Sequence, residues 1–244
     1  LPNGAVGGKG QGQYQLDLTP DSPPRLQLSS DLTGLELRMV PVSWRKSPAV
    51  SGRLDLVATL ATPVEVQSLS FAAPGLAVQG RVTTKANGGL DRAVLSSVTV
   101  GNWMRGSAVF LGRNGAVPAL ELTGGTLDMR KAPFSGESGS SSGGGSDETG
   151  PITMRLDRLQ VTDSIALTGF QGRFTTRGGF NGQFSGQLNG ATPVSGVVVP
   201  QAGGVATRIR AEDAGGVFQA AGILRHGRGG SFDLTLVPAD VAGE

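Results

Sequence analysis

The 244-residue chain carries 21 Lys and Arg against 19 Asp and Glu, a formal net charge of +2, and no cysteine. So even a balance excludes a dedicated nucleic-acid surface, and the missing thiols exclude disulfides, thiolate metal sites and cysteine nucleophiles. The 40 glycines and 14 prolines mostly stand between short apolar runs, where they punctuate turns in an ordered, strand-rich protein.

The opening LPNGAVGGKG has no initiator Met, no signal peptide and no apolar run near the roughly 20 residues that span a bilayer. It reads as part of something longer, with any membrane anchor outside these residues. From Gly52 to Thr62, alternation places Leu54, Leu56, Ala58 and Leu60 on one face of a strand and Arg53, Asp55 and Thr59 on the other. Similar segments follow at Val64–Phe71, Leu76–Thr84, Leu90–Val100, Met104–Leu111 and Ala119–Met129. The turn signals are Pro74-Gly75, Asn87-Gly88-Gly89, Asn114-Gly115 and Gly124-Gly125. The pattern predicts a meander of antiparallel strands.

SGESGSSSGGGSDETGP, residues 135–151, has no apolar side chain to offset the entropy of ordering, which predicts a flexible Gly/Ser-rich loop. The loop either divides two domains or interrupts one sheet; the similar strands on both sides favour one β body made of residues 1–134 and 152–244. After it Ile152, Met154 and Leu156 share a face, Ile165 and Leu167 share another, and strands continue over Val205–Arg210 and Ser231–Val237.

In FNGQFSGQLNG, residues 180–190, Phe180, Gly182, Phe184, Gly186 and Leu188 alternate with Asn181, Gln183, Ser185, Gln187 and Asn189. The glycines either admit neighbouring backbone and relieve twist, or leave gaps through which a ligand approaches the apolar face. Both readings stay open at this point. Near the end, Asp213 can cap a short helix near 216–224, with Val217, Phe218, Ala221 and Leu224 laid over a sheet end and Gly222 and Gly227 helping it stop.

Catalytic groupings are sparse. His226 is the single histidine and stands in a Gly/Arg turn, which excludes a His-rich zinc site and leaves a triad only that one residue as base. Gly139-Ser140-Ser141-Ser142-Gly143 matches G-x-S-x-G only as a string, inside the predicted loop. The adjacent pairs Glu212-Asp213 and Asp147-Glu148 point apart on extended backbone and read as turns or caps. Arg177-Gly178-Gly179 and Arg228-Gly229-Gly230 each stand alone between strands without an aromatic platform and read as turns, and Gly8-Lys9-Gly10 lacks the context of a phosphate loop. We expect no enzyme activity, no cofactor, no metal and no nucleic-acid partner.

Asp213-Ala214-Gly215, the apolar half-helix, Gly222 and Gly229-Gly230 followed by a strand resemble a recurring pattern in the AsmA-like bacterial envelope proteins, in particular their large YhdP-like branch. SFAAPGLAVQGRVTTKANGGLDRAVLSSVTVG upstream is similar to that family's strand pairs. The resemblance covers Leu32 to Val237 without the loop. It implies an all-β, elongated, curled antiparallel sheet forming an open groove, the periplasmic part of an inner-membrane-anchored protein of a Gram-negative bacterium. It also implies a role in moving phospholipid between membranes and in outer-membrane lipid homeostasis, with phospholipid acyl chains as partners.

One-sided strands suit that role. An acyl chain of about 16 carbons exposed to water costs on the order of 12 kcal/mol at roughly 0.8 kcal/mol per CH₂. We therefore expect Leu54, Leu56, Leu60, Val109, Leu111, Ile152, Met154, Leu156, Phe174, Phe180, Phe184 and Leu188 to line a lipid-binding groove. The alternatives are a structural or adhesive β-solenoid whose apolar face is sealed as core, and a glycan hydrolase or lyase, which two Trp and one Tyr equip poorly. An outer-membrane barrel would need aromatic girdles that are missing.

Overall fold

The computed structural model describes residues 5–39, 42–133, 150–175, 177–201 and 204–236. Alternating apolar and polar residues, broken every eight to twelve positions by Gly, Pro or Asn, leave the backbone little choice but strand and turn. The strands are β1 (Val6–Gly8), β2 (Gln13–Asp17), β3 (Arg25–Ser30), β4 (Leu35–Met39), β5 (Trp44–Lys46), β6 (Arg53–Thr59), β7 (Glu65–Ala73), β8 (Leu76–Thr84), β9 (Leu90–Val100), β10 (Met104–Arg113), β11 (Ala116–Asp128), β12 (Ile152–Gln160), β13 (Ala166–Thr175), β14 (Asn181–Leu188), β15 (Thr192–Gln201), β16 (Gly204–Ala211) and β17 (Phe232–Leu236), with one helix, α1 (Ala214–Ala220). The all-β reading with one short helix holds.

The chain forms two compact units, Leu1–Ala116 and Val117–Glu244. Among the described residues fourteen strands build unclosed sheet, seven to each unit. In the first unit the order is β2-β3-β6-β7-β8-β9-β10, every pair antiparallel. A separate three-stranded sheet, β1-β4-β5, belongs to the same unit. Trp44 of β5 fastens it, with its ring edge-on to Phe71 at 5.8 Å and its Nε1 donating to the Pro74 carbonyl at 2.9 Å. Lys46 is 2% exposed, and its ammonium donates to the carbonyls of Leu32 (2.6 Å), Leu35 (3.0 Å) and Ser47 (3.2 Å), so the buried charge is fully used.

The second unit orders its strands β11 to β17 in sequence. Its first pair corrects the antiparallel expectation: β11 and β12 run parallel, Leu120 opposite Ile152 and Leu127 opposite Leu159. Parallel neighbours need a long crossover, which residues 129–151 supply. Residues 135–149 of the predicted loop, with the G-x-S-x-G string, lie outside the described residues. At its end the Pro151 carbonyl accepts from the Leu120 N–H at 2.9 Å.

Gly124-Gly125, expected as a turn, lies within β11. Gly124 and Gly125 have φ of 67° and 78°, the Gly125 N–H bonds to Asp157 of β12 at 2.7 Å, and Gly169 of β13 has φ 56°. These are left-handed conformations that glycine adopts without Cβ strain. Strict alternation would send Leu127, Leu159 and Leu167 to the polar side. All three are buried, as are Leu122, Leu156 and Phe170 on the other side of the irregularity, so the kink switches which positions face the core.

The helix ends earlier than the sequence suggested. Asp213 caps it as expected, its carboxylate accepting from the Gly216 N–H at 2.8 Å and the Gly229 N–H at 2.6 Å. The helix stops at Gly222, φ 76°, where the Ile223 N–H returns to the Phe218 carbonyl at 2.8 Å and the Gly222 N–H to the Gln219 carbonyl at 3.0 Å. Leu224, expected on the apolar side, is therefore past the helix and exposed.

Candidate functional site

Directly paired residues on adjacent strands point to the same side of a sheet, so the register sorts the side chains into rungs. In the first unit one rung reads Leu16, Leu26, Ala58, Val66, Val82, Ala93, Phe110 from β2 to β10. The next reads Tyr14, Leu28, Leu56, Leu69, Gly80, Leu95, Ala108, and a third carries Leu54, Phe71, Val78 and Val98. Six steps of roughly 4.8 Å make each full rung about 29 Å long. The opposite face runs Gln13, Ser29, Asp55, Ser70, Gln79, Ser97.

The apolar face of this unit is not sealed. Ala58, Ala93 and Ala108 are buried, but Leu26, Leu28, Leu54, Leu56, Val66, Leu69, Val82, Leu95 and Phe110 are only half-buried, and Tyr14 is 75% exposed. Among the described residues the three-stranded sheet meets the third rung, where Trp44 lies edge-on to Phe71 and Val98 is buried. A water-facing apolar surface of this extent is what a hydrocarbon ligand or an apolar partner covers.

Of the residues expected to line a groove in this unit, Leu54 and Leu56 lie on that face. Leu60 stands just beyond β6, where its N–H bonds to the Pro24 carbonyl at 2.8 Å and its side chain is exposed. Val109 and Leu111 fall on the other side, which corrects the expectation. Val109 pairs with Val94, itself opposite Arg81, and Leu111 pairs with Arg92, itself opposite Thr83. The run Ala108-Val109-Phe110-Leu111 is apolar at every position, so it carries no alternation from which to choose a face. Its neighbour β9 also holds an irregularity at Ser96-Ser97 that shifts the local register.

In the second unit Ile152, Met154, Leu156, Phe174, Phe184 and Leu188 share one face. Two rungs carry most of it: Leu120, Ile152, Phe174, Gly182, Val198, Thr207, Leu236 and Leu122, Met154, Gly172, Phe184, Gly196, Ile209, Leu234. Phe180, just before β14, stacks on Phe174 with centroids 5.1 Å apart, and Phe184 stacks on Phe170 at 5.9 Å.

This unit is more closed. Leu156, Phe170, Phe174 and Leu188 are buried at 5%, 3%, 8% and 7% exposure, whereas Ile152, Met154 and Phe184 are half-buried. The glycines of the alternating stretch do not leave gaps. A Cβ at Gly182 would stand 2.2 Å from the Arg173 carbonyl oxygen and 2.6 Å from Phe174 Cδ1, and one at Gly196, on the next strand, would meet the Phe184 ring tip at 2.4 Å and the Arg208 carbonyl oxygen at 2.7 Å. The rings lie across the glycines and cover the strand themselves.

Helix α1 packs against β15 and closes part of this unit. Phe218 meets Phe232 edge-on at 5.7 Å, and Asn189 donates to the Ala220 carbonyl at 2.6 Å. A Cβ on Gly215 would collide with the Gly227-Arg228 backbone, so only glycine permits that approach. Arg177-Gly178-Gly179 and Arg228-Gly229-Gly230 are turn or loop, and His226 is exposed in the segment after the helix.

The charges gather at strand ends and on the polar face. Arg130 holds Asp128 through contacts of 2.6 and 2.8 Å and also reaches Asp163. The Arg130 hydrogen bonds and charge pull the Asp128 carboxyl down to about 2. Arg208 grips Asp233 with two contacts, 2.8 and 2.5 Å, and Arg210 adds a third at 3.3 Å, which together lower the Asp233 carboxyl below its ordinary value. Among the described residues no three His, Asp or Glu gather as metal ligands, and no helix is long and apolar enough to cross a membrane.

The arrangement offers apolar surface and ordered polar rungs. Comparison with known proteins finds no matching family model, no matching curated protein and no matching solved structure.

Proposed function

We propose that this chain is a segment of an AsmA-like periplasmic protein, anchored in the inner membrane through residues outside the segment, whose apolar sheet face shields phospholipid acyl chains in transit between membranes. No bond is made or broken in that role. The observation that carries the reading is the set of half-exposed apolar rungs in the first unit, continuous over seven strands and about 29 Å long. Burying a single Leu-sized side chain is worth about 1.5–3 kcal/mol, so a face holding this many unsatisfied ones has a strong drive to be covered. A hydrocarbon chain can cover it without stereospecific contacts.

Photo-crosslinking residues placed at Leu56 and Phe184 are expected to capture phospholipid in cells, and one at Gln79, on the polar face of the first unit, is not. Equal labelling at all three positions would count against the reading. The buried Leu156, Phe170 and Phe174 of the second unit favour a different one, a structural or adhesive β-solenoid with a sealed core. That reading expects no lipid on Leu56 or Phe184.

A further inference from the structure

The polar face of the second unit carries a feature that lipid shielding does not use. A shallow cavity of about 530 Å³ there is lined by Arg155, Arg173, Arg208 and Arg210, with hydroxyl and amide side chains between them. The register explains the grouping. One rung of this face runs Arg155, Gln171, Ser185, Ser195, Arg210, Asp233 from β12 to β17, and the next runs Thr153, Arg173, Gln183, Val197, Arg208, Thr235. Arg155 and Arg173 thus sit diagonally on neighbouring strands, and Arg208 and Arg210 sit two apart on one strand. The pairs flank a floor of Ser185 and Ser195; from β13 to β16 the span is about 14 Å at roughly 4.8 Å per step.

The four guanidinium groups share this face with Asp233 at the β17 end and with Glu121 and Asp157 at the β11–β12 end. Asp233 neutralises part of the Arg208–Arg210 pair, while the guanidinium groups of Arg155 and Arg173 have no hydrogen-bond or ion-pair partner among the described residues. Like charges held this close are unfavourable unless an anion spreads between them. Guanidinium forks match phosphoryl oxygens bidentately, and the Ser, Thr and Gln groups between them supply neutral donors.

We propose that this cavity is a binding site for a ligand bearing two or more phosphoryl groups, held by Arg155 and Arg173 on one side and by Arg208 and Arg210 on the other. The chemistry is common to a lipid headgroup with two phosphates and to a free polyphosphate anion. The site lies on the face opposite the apolar rungs, so it stands or falls independently of labelling at Leu56 and Phe184.

The test is calorimetric titration of the chain with inorganic tripolyphosphate, alongside flotation with phosphatidylcholine vesicles containing cardiolipin. At least one probe is expected to bind, and Arg155→Ala combined with Arg173→Ala should weaken that binding at least tenfold. Arg81→Ala combined with Arg105→Ala removes the same charge from the first unit and should change it less than twofold. Binding confined to vesicles assigns the headgroup as source, and binding confined to tripolyphosphate assigns the free anion. Arg155→Lys with Arg173→Lys keeps the charge without the fork, guards against a folding defect in the alanine variant, and should lose at least threefold. Failure of both probes, equal losses in the two alanine variants, or undiminished binding by the lysine variant would overturn the site.

Discussion

At Gly196 the absent Cβ lets the Phe184 ring lie down across the neighbouring strand, and Gly182 does the same for Phe174. Neither glycine has a positive φ, and what resists substitution is both ring and neighbouring backbone: a Cβ at Gly196 would stand 2.4 Å from Phe184 Cζ and 2.7 Å from the Arg208 carbonyl oxygen. Gly196→Val is accordingly expected to destabilise the chain by about 1–3 kcal/mol through overpacking. In a Phe184→Ala background the same change should cost less, because the colliding ring is gone and only the contact with the Arg208 carbonyl remains. Denaturant titration of the four proteins checks this, and additive penalties would show that the ring does not occupy that space. Alternation in the sequence told that Phe184 and Gly186 share a side. It did not tell whether the space over a glycine is open, since that depends on the rotamer of a ring on the next strand.

For single elements, the legible cases are those where alternation and turn chemistry agree. Leu76–Thr84 and Leu90–Val100 have the bounds their sequence suggests because a turn signal stands beside each and the interior alternates. In β10 the run from Ala108 to Leu111 defeats the same logic, and pairing with β9 decides its faces. The helix shows both situations. Its start is written in Asp213, whose carboxylate takes up an N–H that the first turn leaves unpaired. Its end depends on Gly222 and on the return of the chain beside Gly215. Asp213→Ala removes the cap together with the bond to Gly229, and should lower stability by about 1 kcal/mol, read as a drop in the unfolding midpoint. Asp213→Asn, which can still accept both bonds, should retain most of it. Loss of equal size in the two variants would argue against a capping role.

For the whole molecule, acid stability follows from the paired carboxylates. Asp128 titrates near 2 in the folded chain, and Asp233 is also lowered, both through arginine hydrogen bonds. An unfolded aspartate titrates near about 3.9. Because the folded values lie below the unfolded one, the stabilisation is present in full above about pH 4 and is lost as pH falls toward about 2. The thermal midpoint should therefore fall over that window, and Asp128→Asn with Asp233→Asn should flatten the fall. An unchanged pH profile in that variant would contradict the pairing.

The sequence alone determined the strand class, the polar and apolar sides of most strands and the helix cap, because these follow from nearest-neighbour chemistry along the chain. Only the tertiary structure decided that β11 and β12 run parallel, that Val109 and Leu111 face away from Leu56, that rings cover the glycines, and that four arginines distant in sequence line one cavity. Each of these depends on register between strands, where a slip of one residue exchanges the two faces, and no local pattern encodes that register.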